Sequence, residues 1–458
     1  MKSVNDYTKN ILKQIKLDSP LYENYKKGIL EKFIHHNKHL AIQGSAEWLA
    51  NRTYNIGGSE MSIITGENPY SAIDNLVANK LGFSTFSGNI ATRWGKLFEY
   101  VTQIISTIVL EIDEIKETGS LDGAVPNQKY SPDGLAVIKV HCADIINNEK
   151  INTLEYCIIL FEFKSPLNSI PDGIIPSYYL PQVKTGLCSI PITDFAIFIN
   201  NMFRKCAFED LNASSKYDIS FHSSDKKKNL PEELPLAFGI ILFYQTNAQR
   251  KSFYEKYKTD IGIESSKFDE FDESNNSDES DESDESNMRY IFNSNLYNFI
   301  YTSAKHNIRD FGKSYYKEFN EILQMFDDKL ISVDYCKPHI LEKYNNNTFL
   351  SAQQKNKGSN NFQTTIDEYK DIIGKGTVNG RNIFGFLPWK LIKSDIIYQE
   401  RDYNYVHKYN DKIQTTINII KKINALPSHD DKVALFMKYY PKNKLFKNYD
   451  DIKDFIPR

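Results

Sequence analysis

Glu162 and Lys164 stand two positions apart in Phe161-Glu-Phe-Lys-Ser165, at the end of a mostly apolar run, Leu154–Phe163. In an extended strand, residues i and i+2 leave the same face. The run is too apolar for a surface strand. A carboxylate and an ammonium at the end of a buried one are costly unless paired or bound to a metal. Asp133 sits in Ser131-Pro-Asp-Gly134, a turn sequence that sets a carboxylate at the edge of a hairpin. Asp133 and Glu162 can converge on one hard divalent cation, which takes oxygen ligands, and the carbonyl of Phe163 can add a third oxygen. Lys164 beside such an ion can orient or help deprotonate a water for attack on a phosphodiester. Each piece alone has a plainer reading: a same-face salt bridge for Glu162 and Lys164, a turn residue for Asp133, a solvated helix residue for Glu99. Their joint occurrence, with Trp94-Gly-Lys-Leu-Phe-Glu99 before them and Tyr179-Leu-Pro-Gln182 after, points to metal-assisted hydrolysis.

The order Glu, Ser-Pro-Asp-Gly, Glu-Phe-Lys, Gln resembles the PD-(D/E)-x-K nuclease superfamily, and more narrowly the branch of YqaJ-type viral recombinases and phage lambda exonuclease. Trp48-Leu-Ala-Asn-Arg52 followed by Ile56-Gly-Gly-Ser-Glu60 is similar to the N-terminal motif of that branch, whose arginine contacts the 5′ phosphate of a DNA end. Gln182 in Pro-Gln-Val-Lys resembles its downstream helical glutamine. The resemblance covers about residues 43–205. It implies an α/β fold with a restriction-endonuclease-like core, a central mixed β-sheet flanked by helices, and leaves a mostly helical C-terminal extension. It also implies that Asp133 and Glu162 are metal ligands and that Lys164 handles the attacking water. Glu99 would support a second metal or its waters, and Gln182 would help fix the lysine or water. Arg52 and Ser59 would hold the terminal phosphate, and Tyr179 is a weaker match. The cofactor implied is Mg²⁺, with Mn²⁺ as a substitute, as one or two ions. The segment Lys139–Thr153 is longer than the family pattern and is expected to form an extended hairpin tip.

The elements that must position these residues follow from periodicity. Ser45 reads as the N-cap of a short helix to Asn51, with Trp48 and Leu49 on its buried side. The Gly57-Gly58 pair and Ser59 start another. Trp94, Phe98, Val101, Ile105 and Ile108 recur at helical spacing. Leu121–His141 reads as a hairpin, Leu154–Phe163 as a central strand, Ser177–Ser189 as a helix, and Asp194–Asn200 as a strand. Leu236–Gln245 is a further strand that extends the same sheet. The domains expected are an N-terminal helical segment over 1–40, a nuclease core over 41–250, an acidic loop over 264–288 and a mostly helical region over 289–458. In that last region fall tyrosine-rich helices near 291–326, a polar connector near 344–364 and a helix near 405–425. His35 and His39 lie four apart on a helix, and with no third ligand nearby they read as a solvated face.

The chain has 458 residues, 41% hydrophobic, 25% charged and 13% aromatic, which excludes wholesale disorder, collagen and fibre. No apolar run approaches the ~18–20 residues needed to span a bilayer, and Met1-Lys-Ser-Val-Asn-Asp6 carries no signal core. The five cysteines form no C-x-x-C pair, which argues against a disulfide framework or zinc ribbon and for a reducing compartment. The net charge of −3 hides a segment, Glu264–Ser286, with eleven acidic residues and one lysine; without it the chain carries 55 basic against 48 acidic residues, or +7. A mildly basic body suits a polyanion, and the Ser-Asp-Glu repeat within the insert reads as a flexible loop. No G-x-x-x-x-G-K-[S/T] occurs, so no ATP motor is fused.

The function expected is a deoxyribonuclease that degrades linear duplex DNA from 5′ ends in viral recombination or repair. Its partners would be DNA ends and a single-strand annealing protein, with self-association open and no membrane. It would work inside the cell, in the cytoplasm at a viral replication site or in the virion. An endonuclease of resolvase or restriction type, and a non-catalytic DNA-binding or virion protein, are the alternatives.

Overall fold

In the computed structural model the described residues are 16–41, 44–84, 88–146, 149–214, 234–246, 248–249, 252, 308–314, 316–341 and 362–446. The expected acidic loop, the first part of the tyrosine-rich stretch and nearly all of the polar connector lie outside them.

Among the described residues the first elements are α1 (Pro20–Asn37), α2 (Ala46–Asn51), β1 (Ile56–Gly57), α3 (Met61–Thr65), α4 (Ile73–Lys80) and α5 (Ile90–Val109). Next come β2 (Leu121–Asp122), β3 (Gln128–Tyr130), β4 (Gly134–Ile146), β5 (Glu149–Lys164), α6 (Leu180–Ser189), β6 (Phe195–Lys205) and β7 (Ala237–Tyr244). The last third adds β8 (Arg309–Asp310), α7 (Tyr316–Asp327), β9 (Ser332–Tyr335), β10 (His339–Ile340), α8 (Gln363–Lys375), β11 (Thr377–Val378), β12 (Arg381–Gln399), α9 (Asn410–Asn424) and α10 (His429–Tyr439). Among the described residues, no helix is long and apolar enough to cross a membrane.

The fold is mixed α/β, a central sheet flanked by helices. Its path runs β10-β7-β12-β6-β5-β4 among the described residues. β4 and β5 pair antiparallel, from Gly134 opposite Phe161 to Ile146 opposite Glu149. β5 then pairs parallel with β6, from Ile159 opposite Phe195 to Lys164 opposite Asn200, through the crossover helix α6. β12 lies antiparallel between β6 and β7. The core expected over 41–250 therefore takes in a central strand from far beyond it.

Two expectations are corrected. Leu121–His141 is not one hairpin: β2 and β3 pair with each other and with β1 in a small separate sheet, while β4 turns into the long hairpin with β5. Thirteen β4 residues pair in register with β5, a far longer ladder than the three-residue β3 could offer. In α2, Ser45 caps as expected, its Oγ accepting from the Trp48 N–H at 3.2 Å. Yet Leu49 is 59% exposed and no α2 residue is fully buried. Among the described residues α2 belongs to no core cluster, and Trp48 is held by Ser131 Oγ and the Arg52 guanidinium instead.

β5 divides its side chains between two cores. Ile159, Phe161 and Phe163 enter a cluster with Ala136, Ile138, Ile197 and Ile199. Ile158 and Leu160 enter the opposite cluster, under Val183 and Leu187 of α6 and beside Tyr130. Glu162 and Lys164 continue that second face, since strand side chains alternate. α5 packs its apolar stripe of Trp94, Phe98, Val101 and Ile105 into the largest cluster, with Phe203, Trp389 and α7. It is pinned to the end of β5 where Thr102 Oγ1 meets Ser165 Oγ at 2.8 Å and Ser165 donates to the Phe98 carbonyl at 3.3 Å. His35 and His39 are both exposed, but α1 ends at Asn37, so only His35 lies on the helix and the two do not share a helical face.

Candidate active site

Three oxygen-bearing groups and one ammonium meet where β5 leaves the core. Glu162 is fully buried, with Tyr130 donating to its Oε2 at 3.0 Å and Lys164 donating to its Oε1. Lys164 Nζ also reaches the Phe163 carbonyl at 3.1 Å and lies 3.7 Å from Asp133 Oδ2. Asp133 is fixed by the Phe163 backbone N–H, which donates to Oδ2 at 2.8 Å. The lysine thus touches Glu162, the Phe163 carbonyl and Asp133, the same oxygens expected to hold a divalent cation.

The electrostatics follow from burial and crowding. Desolvation and then the nearby Asp133 push Glu162 up to about 8, against the lowering pull of Lys164 and Tyr130. Glu99 is exposed as a residue on the outer face of α5, and partial desolvation of its carboxyl and then the nearby Asp133 push it upward. Burial would lower Lys164, but Glu162 and Asp133 outweigh it and hold the ammonium well above its ordinary value. Carboxyl groups raised by a neighbouring carboxylate in this way want additional positive charge. Among the described residues, no His, Cys, Asp and Glu side chains are gathered three together in a form ready to hold a metal. The all-oxygen donor set of Asp133, Glu162 and the Phe163 carbonyl nevertheless suits a hard cation.

Tyr130 is not singled out by the sequence, though it directly precedes Ser131-Pro-Asp-Gly134. Its ring is clamped between two glycines: a Cβ on Gly58 or on Gly186 would come within 2.4 Å of it. Burial, then the Glu162 charge, raise its hydroxyl far above the ordinary phenol value, so it stays a donor. Asn200 is also missed; it is buried beside Lys164 in the β5–β6 register, its amide oxygen without a hydrogen bond. Nothing in local periodicity marks it, because its role depends on strand pairing.

Arg52 and Ser59 form a separate cluster. Arg52 pairs with Glu60 at 2.9 Å and lies over the Trp48 ring at 4.5 Å. Lys80, nearly buried, meets Glu60 at 3.0 Å and donates to the carbonyls of Arg52 and Asn55 at 2.8 and 2.7 Å. Burial favours a neutral Glu60, but Lys80 and Arg52 outweigh it and hold the carboxyl below its ordinary value. Ser59 is exposed at the start of this turn. The cluster is tied to the first through Trp48 Nε1, which donates to Ser131 Oγ at 3.2 Å, two residues before Asp133. Tyr179 caps α6 with its ring 5.4 Å from Lys164 Nζ, and Gln182 lies one turn further along the same helix end.

No family model matches this chain. A protein of African swine fever virus is 29% identical over 228 residues in the Badajoz 1971 Vero-adapted strain, and its counterpart in the Pretoriuskop Pr4 tick isolate is 30% identical. Those matches cover 47% of this chain and 64% of each relative, so the chain spans under two thirds of their length. A crystal structure of the alkaline exonuclease LHK-Exo from Laribacter hongkongensis overlaps 34% of this chain and 74% of that one, at 19% identity and a TM-score of 0.26. The same enzyme with dAMP overlaps equally, at 18% identity.

Proposed function

We propose that this protein is a divalent-metal-dependent deoxyribonuclease that attacks linear duplex DNA from its 5′ ends, in the recombination or repair of viral DNA. The observation that carries the reading is the Lys164 ammonium bonded to Glu162 and the Phe163 carbonyl and facing Asp133 at the mouth of a buried strand. A binding module has no need to bury an ionisable set of this kind, because burial costs it several kcal/mol with nothing gained in affinity. The relatives' viral source fits the setting.

Asp133, Glu162 and the Phe163 carbonyl would hold the ion, Mg²⁺ or Mn²⁺, with Glu99 placed toward a second ion or its waters. Bound there, such an ion polarises the phosphate and makes a hydroxide available near neutral pH. The protein's own groups then do the rest. Tyr130 keeps Glu162 in place by donating to Oε2. Lys164 Nζ is held as an ammonium by Glu162 and Asp133 against burial, which lowers its proton affinity, so a weakening of those two contacts would ease the proton off. It can then take or orient a water proton beside the phosphodiester. Gln182, one turn along α6, helps hold lysine or water.

Arg52 and Ser59 would receive the terminal phosphate. Glu60 occupies one edge of the Arg52 guanidinium, and a guanidinium has five N–H donors, so a phosphate can share it. An annealing protein that takes over the single-stranded product, and self-association, belong to the same reading.

The test is digestion of matched linear, nicked and closed-circular DNA with Mg²⁺ or EDTA. Linear DNA should be consumed only with the metal, and Asp133→Asn, Glu162→Gln and Lys164→Ala should each abolish this while leaving DNA binding. Cutting of closed circles would make it an endonuclease; binding without cutting would make it a non-catalytic DNA-binding protein. Unimpaired turnover by Lys164→Ala would place the chemistry elsewhere.

A further inference from the structure

A row of tyrosines leads from Lys164 to solvent. The Tyr179 ring lies 5.4 Å from Lys164 Nζ and 5.7 Å from Phe198, which roots it in the core. Tyr178 packs on Tyr179 with centroids 4.4 Å apart, and Tyr70 meets Tyr178 edge-on at 5.6 Å. Tyr70 is 79% exposed. It reaches this row from a distant part of the chain, on the loop after α3. That loop is well fixed: Asn68 Oδ1 accepts from the Tyr70 and Ser71 N–H groups at 2.8 and 2.9 Å, and Asn68 Nδ2 donates to Ser62 Oγ at 2.9 Å.

A packing role explains Tyr179 but not Tyr70. A ring left four-fifths open removes little apolar surface from water and adds little stability. An open aromatic face, held rigid and continuous with the site, suits a flat apolar ligand that arrives with the phosphodiester. A nucleobase is such a ligand, and every base has a face to stack.

We propose that Tyr70 and Tyr178 form a stacking platform for unpaired nucleobases of the strand whose phosphodiester lies at Lys164. The proposal rests on the nuclease reading of that site. It adds a base-binding subsite that is indifferent to sequence and prefers single-stranded over paired nucleotides, since a paired base has its faces covered.

The test is equilibrium binding of the full chain, in EDTA so that nothing is cut, to duplexes with a short single-stranded 5′ tail. The tail carries either normal nucleotides or abasic ones with the same phosphates. For wild type, removing the bases should weaken binding about five- to a hundredfold, the range expected from stacking of one base. Tyr70→Ala and Tyr178→Ala should weaken binding to the normal tail by a similar factor and lose the distinction between the two tails. Tyr70→Phe and Tyr178→Phe should keep it, because the ring and not the hydroxyl is used. Equal binding of both tails by wild type, or an undiminished distinction in both alanine variants, overturns the platform. Wild type that distinguishes the tails but never cuts linear DNA in Mg²⁺ supports the platform and overturns the nuclease reading alone.

Discussion

At the residue scale, the site turns on how much a single buried carboxylate depends on its two donors. Tyr130→Phe removes the hydroxyl that donates to Glu162 at 3.0 Å while leaving the ring between Gly58 and Gly186. A hydrogen bond to a charged group is worth about 1.5–3 kcal/mol, so turnover should fall roughly ten- to a hundredfold. The pH profile distinguishes positioning from packing. Tyr130 lowers the proton affinity of Glu162, so without it the acidic limb of the rate profile should move to higher pH; an unmoved limb would reduce Tyr130 to a packing residue. Stability carries the matching signature. Glu162 is raised from 4.5 to about 8 in the fold, so the unfolded chain ionises first as pH rises. The metal-free fold should therefore be most stable below about pH 4.5, as far as this group is concerned, and lose that contribution through pH 8. Mg²⁺ competes with the proton for the same carboxylate. The rise in melting temperature on adding Mg²⁺ should be larger at pH 8 than at pH 5.5, and Glu162→Gln should flatten that difference. A Mg²⁺ shift equal at both pH values would put the ion elsewhere.

At the element scale, two close approaches set the spacing of the β3 end, the Gly58 turn and α6. A methyl group on either glycine would enter the Tyr130 ring. Gly186→Ala and Gly58→Ala should each cost about 1–3 kcal/mol by overpacking, and their activity should fall with a Tyr130→Phe-like shift of the pH profile. Thermal unfolding and a rate profile on the same variants check both; an alanine tolerated at both positions with normal rates would show the clamp to be slack. These approaches explain what can and cannot be read from sequence. β5 is legible because burial on both faces makes it a short, nearly continuous apolar run, and α5 because burial on one face imprints a period of 3.6; Glu162 and Lys164 are legible because they break the apolar run, and Asp133 because of its turn sequence. Leu121–His141 misleads, since a strand's partner is decided by long-range register and not by its own alternation. Tyr130 and Asn200 give no local signal at all: one owes its place to two distant glycines, the other to its position opposite Lys164 in a parallel pair.

At the scale of the whole molecule, the cluster proposed to bind the DNA end and the site proposed to cut it rest on different parts of the chain. The sheet needs β12 between β6 and β7, so a fragment ending near residue 250 should not fold. The lobe that carries Arg52 and Ser59 needs still later residues. Ile56, Met61, Ile64, Leu76 and Val77 share one core with Ile413, Ile417, Ile420, Ile423, Val433 and Phe436 of α9 and α10. The contact has polar fastenings as well, with Gln414 Nε2 donating to the Pro126 carbonyl at 2.7 Å and Asn443 Nδ2 to Asp74 at 2.7 Å. Burying an aliphatic or aromatic side chain is worth roughly 1.5–3 kcal/mol. Several lost together equal the whole stability of a typical domain, about 5–15 kcal/mol. A chain cut after Glu400 should therefore keep β12 and the sheet but lose the order of the lobe before α5. If Arg52 holds the 5′ phosphate, wild type should cut 5′-phosphorylated linear duplex faster than the 5′-hydroxyl form. The shortened chain should lose that preference while still gaining thermal stability from Mg²⁺ at Asp133 and Glu162. The single change Ile417→Ala, expected to cost about 2–5 kcal/mol, should weaken the preference part of the way and Arg52→Ala should remove it without unfolding the lobe. Initial rates on the two DNAs, with melting curves in Mg²⁺ and EDTA, separate these outcomes. A shortened chain that still prefers the phosphorylated end would show that α9 and α10 are dispensable to the end-binding lobe and that its core closes without them.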